Sequence, residues 1–326
     1  MSKESLGRVM VLGSRGMVGS AVIRLLERTA EVSEVIPVSR EQVDLTNQLD
    51  TFSLIASKKP DWVVVAAAKV GGIHANNNYP ADFIYQNLAV ELNVIEGSYR
   101  AGVEKMIFLG SSCIYPKFAD QPIREEALLT GELELTNEPY ALAKIAGIKL
   151  CESYNRQHRT DYRSLMPTNL YGPGDNYHPV NSHVIPGLIR RFHEAKMNGD
   201  ESVEVWGAGQ ARREFLYVDD LASAIVHTMR LSKTTIASVC CERISHLNVG
   251  SGVDVTVSQL ASLISGIIGF DGELLFDRSR PSGTPRKLLD VSKLSLLGWQ
   301  ASTPLDKGIA SAYESFRKEL GLNCRG

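Results

Sequence analysis

Cysteine is scarce in this chain and odd in number. Five are spread along 326 residues, at Cys113, Cys151, Cys240, Cys241 and Cys324. An odd set without tight spacing excludes a disulfide framework and fits a reducing compartment. Cys240 and Cys241 are adjacent, a poor arrangement for jointly holding zinc, and no metal-ligating cluster is expected. Charge of one sign is also lacking, since the formal net charge is −2. That leaves no basic stripe for nucleic acid or an anionic membrane surface. Long apolar runs are missing as well: Trp62 to Ala68 is far too short to cross a bilayer. Met1-Ser2-Lys3-Glu4-Ser5 has no apolar core of the signal-peptide kind, so a cytoplasmic location is expected. The length is enough to bury a large core in one long domain or two modest ones.

What is present is an alternation of apolar runs and helical patterns. Val9-Met10-Val11-Leu12 reads as a buried strand. Val35 to Val38 is a second, weakened by Pro37, which cannot donate to a ladder. Trp62 to Ala68, Met106 to Leu109 and Ser164 to Met166 follow. Helical stretches such as Val18 to Arg28 and Asp82 to Arg100 lie between them. Such alternation predicts an α/β fold with a doubly wound, Rossmann-type parallel sheet. Phe215 to Val218 and His246 to Val249 are candidates for later strands. After Pro167 the texture changes to short helices and loops rich in Gly and Pro. Thr256-Val257-Ser258-Gln259 reads as a capping box opening an amphipathic helix. The expected plan is a nucleotide-binding domain over 1–168, to which 214–250 returns. A smaller, discontinuous substrate domain is expected over 169–326.

Gly13-Ser14-Arg15-Gly16-Met17-Val18-Gly19 follows the first strand and opens the first helix. Glycines there let the backbone approach a pyrophosphate at a helix N-terminus, where free N–H groups favour anions. Arg40 ends the second strand, where an acid would bind a ribose 2′-hydroxyl. With Arg15 it suits a 2′-phosphate instead, because guanidinium pairs well with phosphate oxygens. NADP(H) is therefore expected over NAD, with Glu41, one position further on, as the counter-argument. Asp44 and Leu45 are candidates to reach the adenine.

Tyr140 and Lys144 are four residues apart and share a helix face. A nearby ammonium is expected to lower the Tyr hydroxyl from its ordinary pKa near 10 and make it a usable acid and base. Ser111, after the fourth strand, completes a carbonyl-reducing set. Cys113 lies two residues from Ser111. A thiol has no part in hydride transfer but can move a proton at a carbon beside the carbonyl.

With these motifs in hand the chain resembles the extended short-chain dehydrogenase/reductase family. The similarity narrows to its nucleotide-sugar 3,5-epimerase/4-reductase branch. Ala66 to Ile73, Gly110 to Pro116, Asn137 to Tyr140, Lys144 to Gly147, Pro167 to Pro173, Asn181 to Pro186 and Gly283 to Lys287 carry it. The resemblance implies conversion of GDP-4-keto-6-deoxy-D-mannose to GDP-L-fucose with NADPH. It implies Ser111, Tyr140 and Lys144 as the reductive set, and Cys113 with His183 as the acid-base pair that inverts carbons 3 and 5. It extends the cofactor site to Leu109, Gly110, Ser112, Pro167, Thr168, Asn169, Leu170 and His183, with Lys144 on the nicotinamide ribose. Arg191, Trp206 and Arg213 are implied substrate contacts, with Lys287 a weaker one. At Ser282 the family carries an acid, so a contact there is kept without its charge. A homodimer is also implied. His74, His178, His193, His227 and His246 read as structural. Two other functions stay open: a 4-epimerase or 4,6-dehydratase with retained NAD, and a binding protein that senses NADP without chemistry.

Overall fold

The computed structural model describes residues 5–279 and 284–321. Among the described residues twelve strands occur in chain order. They are β1 (Gly7–Leu12), β2 (Val32–Val38), β3 (Trp62–Val65), β4 (Lys105–Leu109), β5 (Asp161–Pro167), β6 (Asn169–Tyr171), β7 (Ser202–Trp206), β8 (Arg212–Tyr217), β9 (His246–Val249), β10 (Asp254–Thr256), β11 (Glu273–Asp277) and β12 (Arg286–Lys287). The α-helices are α1 (Met17–Leu26), α2 (Gln48–Lys58), α3 (Ile73–Asn78), α4 (Pro80–Arg100), α5 (Glu138–His158), α6 (Val184–Asn198), α7 (Val218–Arg230), α8 (Lys233–Ala237), α9 (Val257–Ile268), α10 (Ser292–Leu296) and α11 (Leu305–Glu319).

The main sheet has six parallel strands in the order β2-β1-β3-β4-β5-β9. Chain order reverses between β1 and β3, and in open α/β sheets ligands bind beyond the strand C-termini at such a point. The strands are apolar on both faces because helices cover both. In β1, Val9 and Val11 enter the core under α1 and α7, while Met10 and Leu12 enter the one under α2, α4 and α5. All four are 0% exposed, each contributing about 1.5–3 kcal/mol by burial. Pro37 is tolerated because β2 is an edge strand paired only with β1.

The two later strands part company. His246–Val249 joins the main sheet beside β5, as β9. The stretch expected at 215–218 instead forms β8, which pairs with β6, β10 and β12 in a separate sheet. Its last expected residue, Val218, starts α7, which packs back under the main sheet with α1. A third apolar cluster gathers α6, α9, α11, β7 and β8. The capping box forms as read: Gln259 N–H donates to Thr256 Oγ1 at 3.0 Å, and Thr256 N–H to Gln259 Oε1 at 2.9 Å.

Candidate active site

The glycine loop leaves β1 at the reversal point. Gly13 has φ +86°, and a Cβ there would lie 2.8–2.9 Å from the Ala66–Ala67 backbone, so only glycine lets the loop cross β3. Gly16 caps α1 without a side-chain partner, leaving the helix N-terminus to a ligand. Met17 and Val18, in its first turn, line a cleft of about 280 Å³.

That cleft gathers most of the expected chemistry. Leu109, Gly110, Ser111, Ser112, Cys113, Tyr140, Lys144, Pro167, Thr168, Asn169, Leu170, His183, Arg213 and Lys287 all line it. Gly13, Ser14, Arg15, Gly16, Gly19, Arg40, Asp44 and Leu45 lie outside its lining. Arg15 makes an ion pair with Glu41 at 3.0 Å, both groups being mostly exposed. Hydrogen bonding from Ser39, then Arg15, holds the Glu41 carboxyl below its usual range. Asp44 is exposed and accepts from Thr46 N–H and Oγ1 at 3.0 and 2.8 Å through one carboxylate oxygen, while the Leu45 side chain is buried in the core beneath α2. Ser282 lies outside the described residues.

The reductive set converges from two elements. Ser111 begins the turn after β4, where its Oγ accepts the Cys113 N–H at 3.3 Å. Tyr140 stands in the first turn of α5, edge-on to Phe83 at 6.2 Å. Lys144, one turn on, is 2% exposed and donates to the Leu109 carbonyl oxygen at 3.0 Å. One expectation is reversed. The Tyr140 hydroxyl is pushed well above its ordinary pKa, first by burial and then by Cys113 and Glu91, with Ser111 alone favouring ionisation. Burial outweighs any help from Lys144, whose ammonium faces the buried Glu91 carboxylate at 3.1 Å.

The Cys113 sulfur is held by two donors, Asn137 Nδ2 and Lys287 Nζ, each at 3.6 Å. Lys287 thus touches the thiol. His183 is the N-cap of α6, and desolvation lowers its pKa, favouring the neutral imidazole. The segment before it is tied down by groups that composition alone could not reveal. Gly72 N–H donates to the Asn181 carbonyl oxygen at 3.1 Å, and a Cβ on Gly72 would sit 2.6 Å from the Ser182 oxygen. His178 Nδ1 accepts the amides of Val180 and Asn181 at 3.2 and 3.1 Å, and His74 Nδ1 meets Asn181 Oδ1 at 3.2 Å.

Arg191 and Trp206 do not line the cleft but form a cation–π pair at 5.0 Å. Arg191 also donates to the Gly187 and Glu204 carbonyl oxygens at 3.2 and 2.8 Å. Burial lowers the pKa of both Arg191 and Arg213. Glu134 and Asn137 line the cleft without having been singled out. Glu134 is fixed by Thr136, whose N–H donates to it at 3.2 Å and whose hydroxyl also bonds it. Among the described residues no group of His, Cys, Asp and Glu could hold a metal ion.

Residues 9–240 match the NAD dependent epimerase/dehydratase family. The chain is 54% identical over 316 residues to GDP-L-fucose synthase of Escherichia coli (strain K12), covering 97% of each. Among solved structures it is similar to a GDP-mannoheptose C4 reductase from Campylobacter jejuni with NADP bound. The TM-score is 0.86 at 34% identity, over 97% of this chain and 99% of that one. It is also similar to a GDP-L-fucose synthetase from Naegleria fowleri bound to NADP. There the TM-score is 0.86 at 26% identity, over 98% and 95%.

Proposed function

The chain belongs to the NAD dependent epimerase/dehydratase family, and from that premise we propose that it converts GDP-4-keto-6-deoxy-D-mannose to GDP-L-fucose with NADPH. The observation that carries this reading is one cleft lined by Ser111, Tyr140 and Lys144 together with Cys113 and His183. Hydride transfer alone has no use for the Cys113 thiol.

The residues present fit a dinucleotide. The Gly13 turn and the uncapped start of α1 leave backbone N–H groups for a pyrophosphate, and Arg15 and Arg40 supply guanidinium groups near the end of β2. When bound, NADPH supplies the hydride that reduces carbon 4. The protein's own residues do the rest. The 4-ketone acidifies carbons 3 and 5, so losing a proton from either leaves an enolate on the carbonyl oxygen. Ser111 and Tyr140 hydrogen-bond that oxygen as charge develops. Cys113 and His183 remove and return the proton on opposite faces, which inverts each centre. Tyr140 protonates the oxygen in the reductive step. Arg191, Arg213 and Trp206 bind the diphosphate and base.

We place the cofactor domain in residues 5–168 with 218–250, since 214–217 of the expected return belong to β8 in the separate sheet, and the sugar nucleotide on the later segments around β8, α6 and α9. The copies pair as a homodimer through α4 and α5. On α4 an exposed stripe of Tyr85, Leu92 and Tyr99 recurs every seven residues, with exposed Leu142 on α5. No described helix is long and apolar enough to cross a membrane. The enzyme works in the cytoplasm, in keeping with the free thiols of Cys113, Cys151, Cys240 and Cys241.

NADPH oxidation on adding the 4-keto sugar nucleotide, with the product identified by NMR, tests the reading. A 4-epimerase or dehydratase that retains its cofactor would turn over without net loss of NADPH.

A further inference from the structure

We infer that Glu91 is a positioning residue for the reductive step: from α4 it fixes Lys144 and cancels its charge, so that Tyr140 keeps the proton it must donate. The inference rests on the reductase reading above.

Glu91 is a carboxylate where a helix-to-helix core would ordinarily be apolar. It is 2% exposed and faces the Lys144 ammonium, also 2% exposed, at 3.1 Å. The facing helix is shaped to admit it. Gly147, one turn after Lys144, has no side chain, and a Cβ there would stand 2.7 Å from Glu91 Oε2 and 2.4 Å from the Phe108 ring. Burying two charges is costly unless they answer each other, and removing one strands its partner. The carboxylate's own pKa is raised by burial, against the lowering pull of Lys144.

The chemical consequence follows from geometry. Lys144 alone, one turn from Tyr140, would draw the hydroxyl toward phenolate. A phenolate cannot protonate the carbon 4 oxygen. With the Glu91 carboxylate opposite at 3.1 Å, the pull of Lys144 is offset, and Glu91 adds to burial and Cys113 in disfavouring the phenolate. The other polar and titratable groups facing Tyr140 are Ser111 and Cys113, from the turn after β4; His183 lines the same cleft from α6. Cys151, further along α5, also lies within the field of Glu91.

Glu91→Gln keeps the shape and removes the charge. In the intact enzyme, the ultraviolet phenolate signal of Tyr140, isolated by subtracting Tyr140→Phe, should appear in Glu91→Gln at a pH lower by at least about one unit. The alkaline limb of NADPH-dependent reduction should move down with it, while Glu91→Asp, which keeps the charge, should stay nearer the parent. The phenolate titration uses no substrate, so it separates failure of this inference from failure of the proposed reaction. A folded Glu91→Gln whose phenolate titration and pH limb match the parent would overturn the inference. Should Glu91→Gln not fold, Glu91→Gln/Lys144→Met should melt within a few degrees of the parent. A double variant no more stable than the single one would also overturn it.

Discussion

The sulfur of Cys113 touches the ammonium of Lys287 and the amide of Asn137, each at 3.6 Å, and opens onto the same cleft as Tyr140. Under the proposed reaction the thiol serves proton transfer at carbon and Tyr140 serves reduction. Cys113→Ser should lower deuterium wash-in at carbons 3 and 5 by about 10²-fold or more, the scale of a lost general acid-base group, and slow reduction of a bound ketone far less. Equal losses in both assays would remove the thiol's separate role. His183 is exposed where it lines the cleft, and the protein around it still lowers its pKa by desolvation, so its neutral form is favoured as the pH falls. With His183 serving as the base, the acid limb of wash-in should lie below about pH 6.5, the unperturbed imidazole value. A limb at or above that pH would contradict this. At this scale Ser111, Tyr140 and Lys144 could be singled out from local spacing, and Cys113 and His183 through the family pattern; the structure brings all five to one cleft. Glu91 and Asn137 were illegible as partners. Glu91 sits 53 positions before Lys144 in the chain, and only the packing of α4 on α5 brings the two together.

Among the elements, the segment from Asn181 to His183 depends on a different part of the chain. Gly72 at the start of α3 receives it so closely that a methyl group would meet the Ser182 oxygen at 2.6 Å. Gly72→Ala should therefore displace His183 and lower turnover by about tenfold, with a stability cost of about 1–3 kcal/mol from overpacking. Kinetics and thermal melting of the same preparation check both parts, and unchanged turnover would sever the link between α3 and His183. The strands of the main sheet were readable because their apolar runs are bounded by turns, and β1 was found within two residues of its true start. The strand around Phe215 was readable as a strand but not as a member of a second sheet. An apolar run records that it is buried, not against which neighbour. His178 looked structural from sequence, and its Nδ1 does hold two backbone amides, but those amides belong to the loop that delivers His183.

For the whole molecule, the parallel sheet, the glycine loop at the reversal between β1 and β3, and the cleft beyond the strand ends form one arrangement. The proposed dimer rests on the exposed stripe of Tyr85, Leu92 and Tyr99 along α4. Leu92→Glu should shift the molecular mass measured by light scattering from dimer to monomer; an unchanged dimer would place the interface elsewhere. The central claim is that one pocket both inverts two carbons and reduces a third. It is tested most directly by incubating the enzyme with GDP-4-keto-6-deoxy-D-mannose and NADPH in deuterated water and reading the product by NMR. The account predicts stoichiometric NADPH oxidation and GDP-L-fucose carrying deuterium at carbons 3 and 5. NADPH oxidation with protium kept at both carbons, or turnover without net NADPH loss, would contradict it.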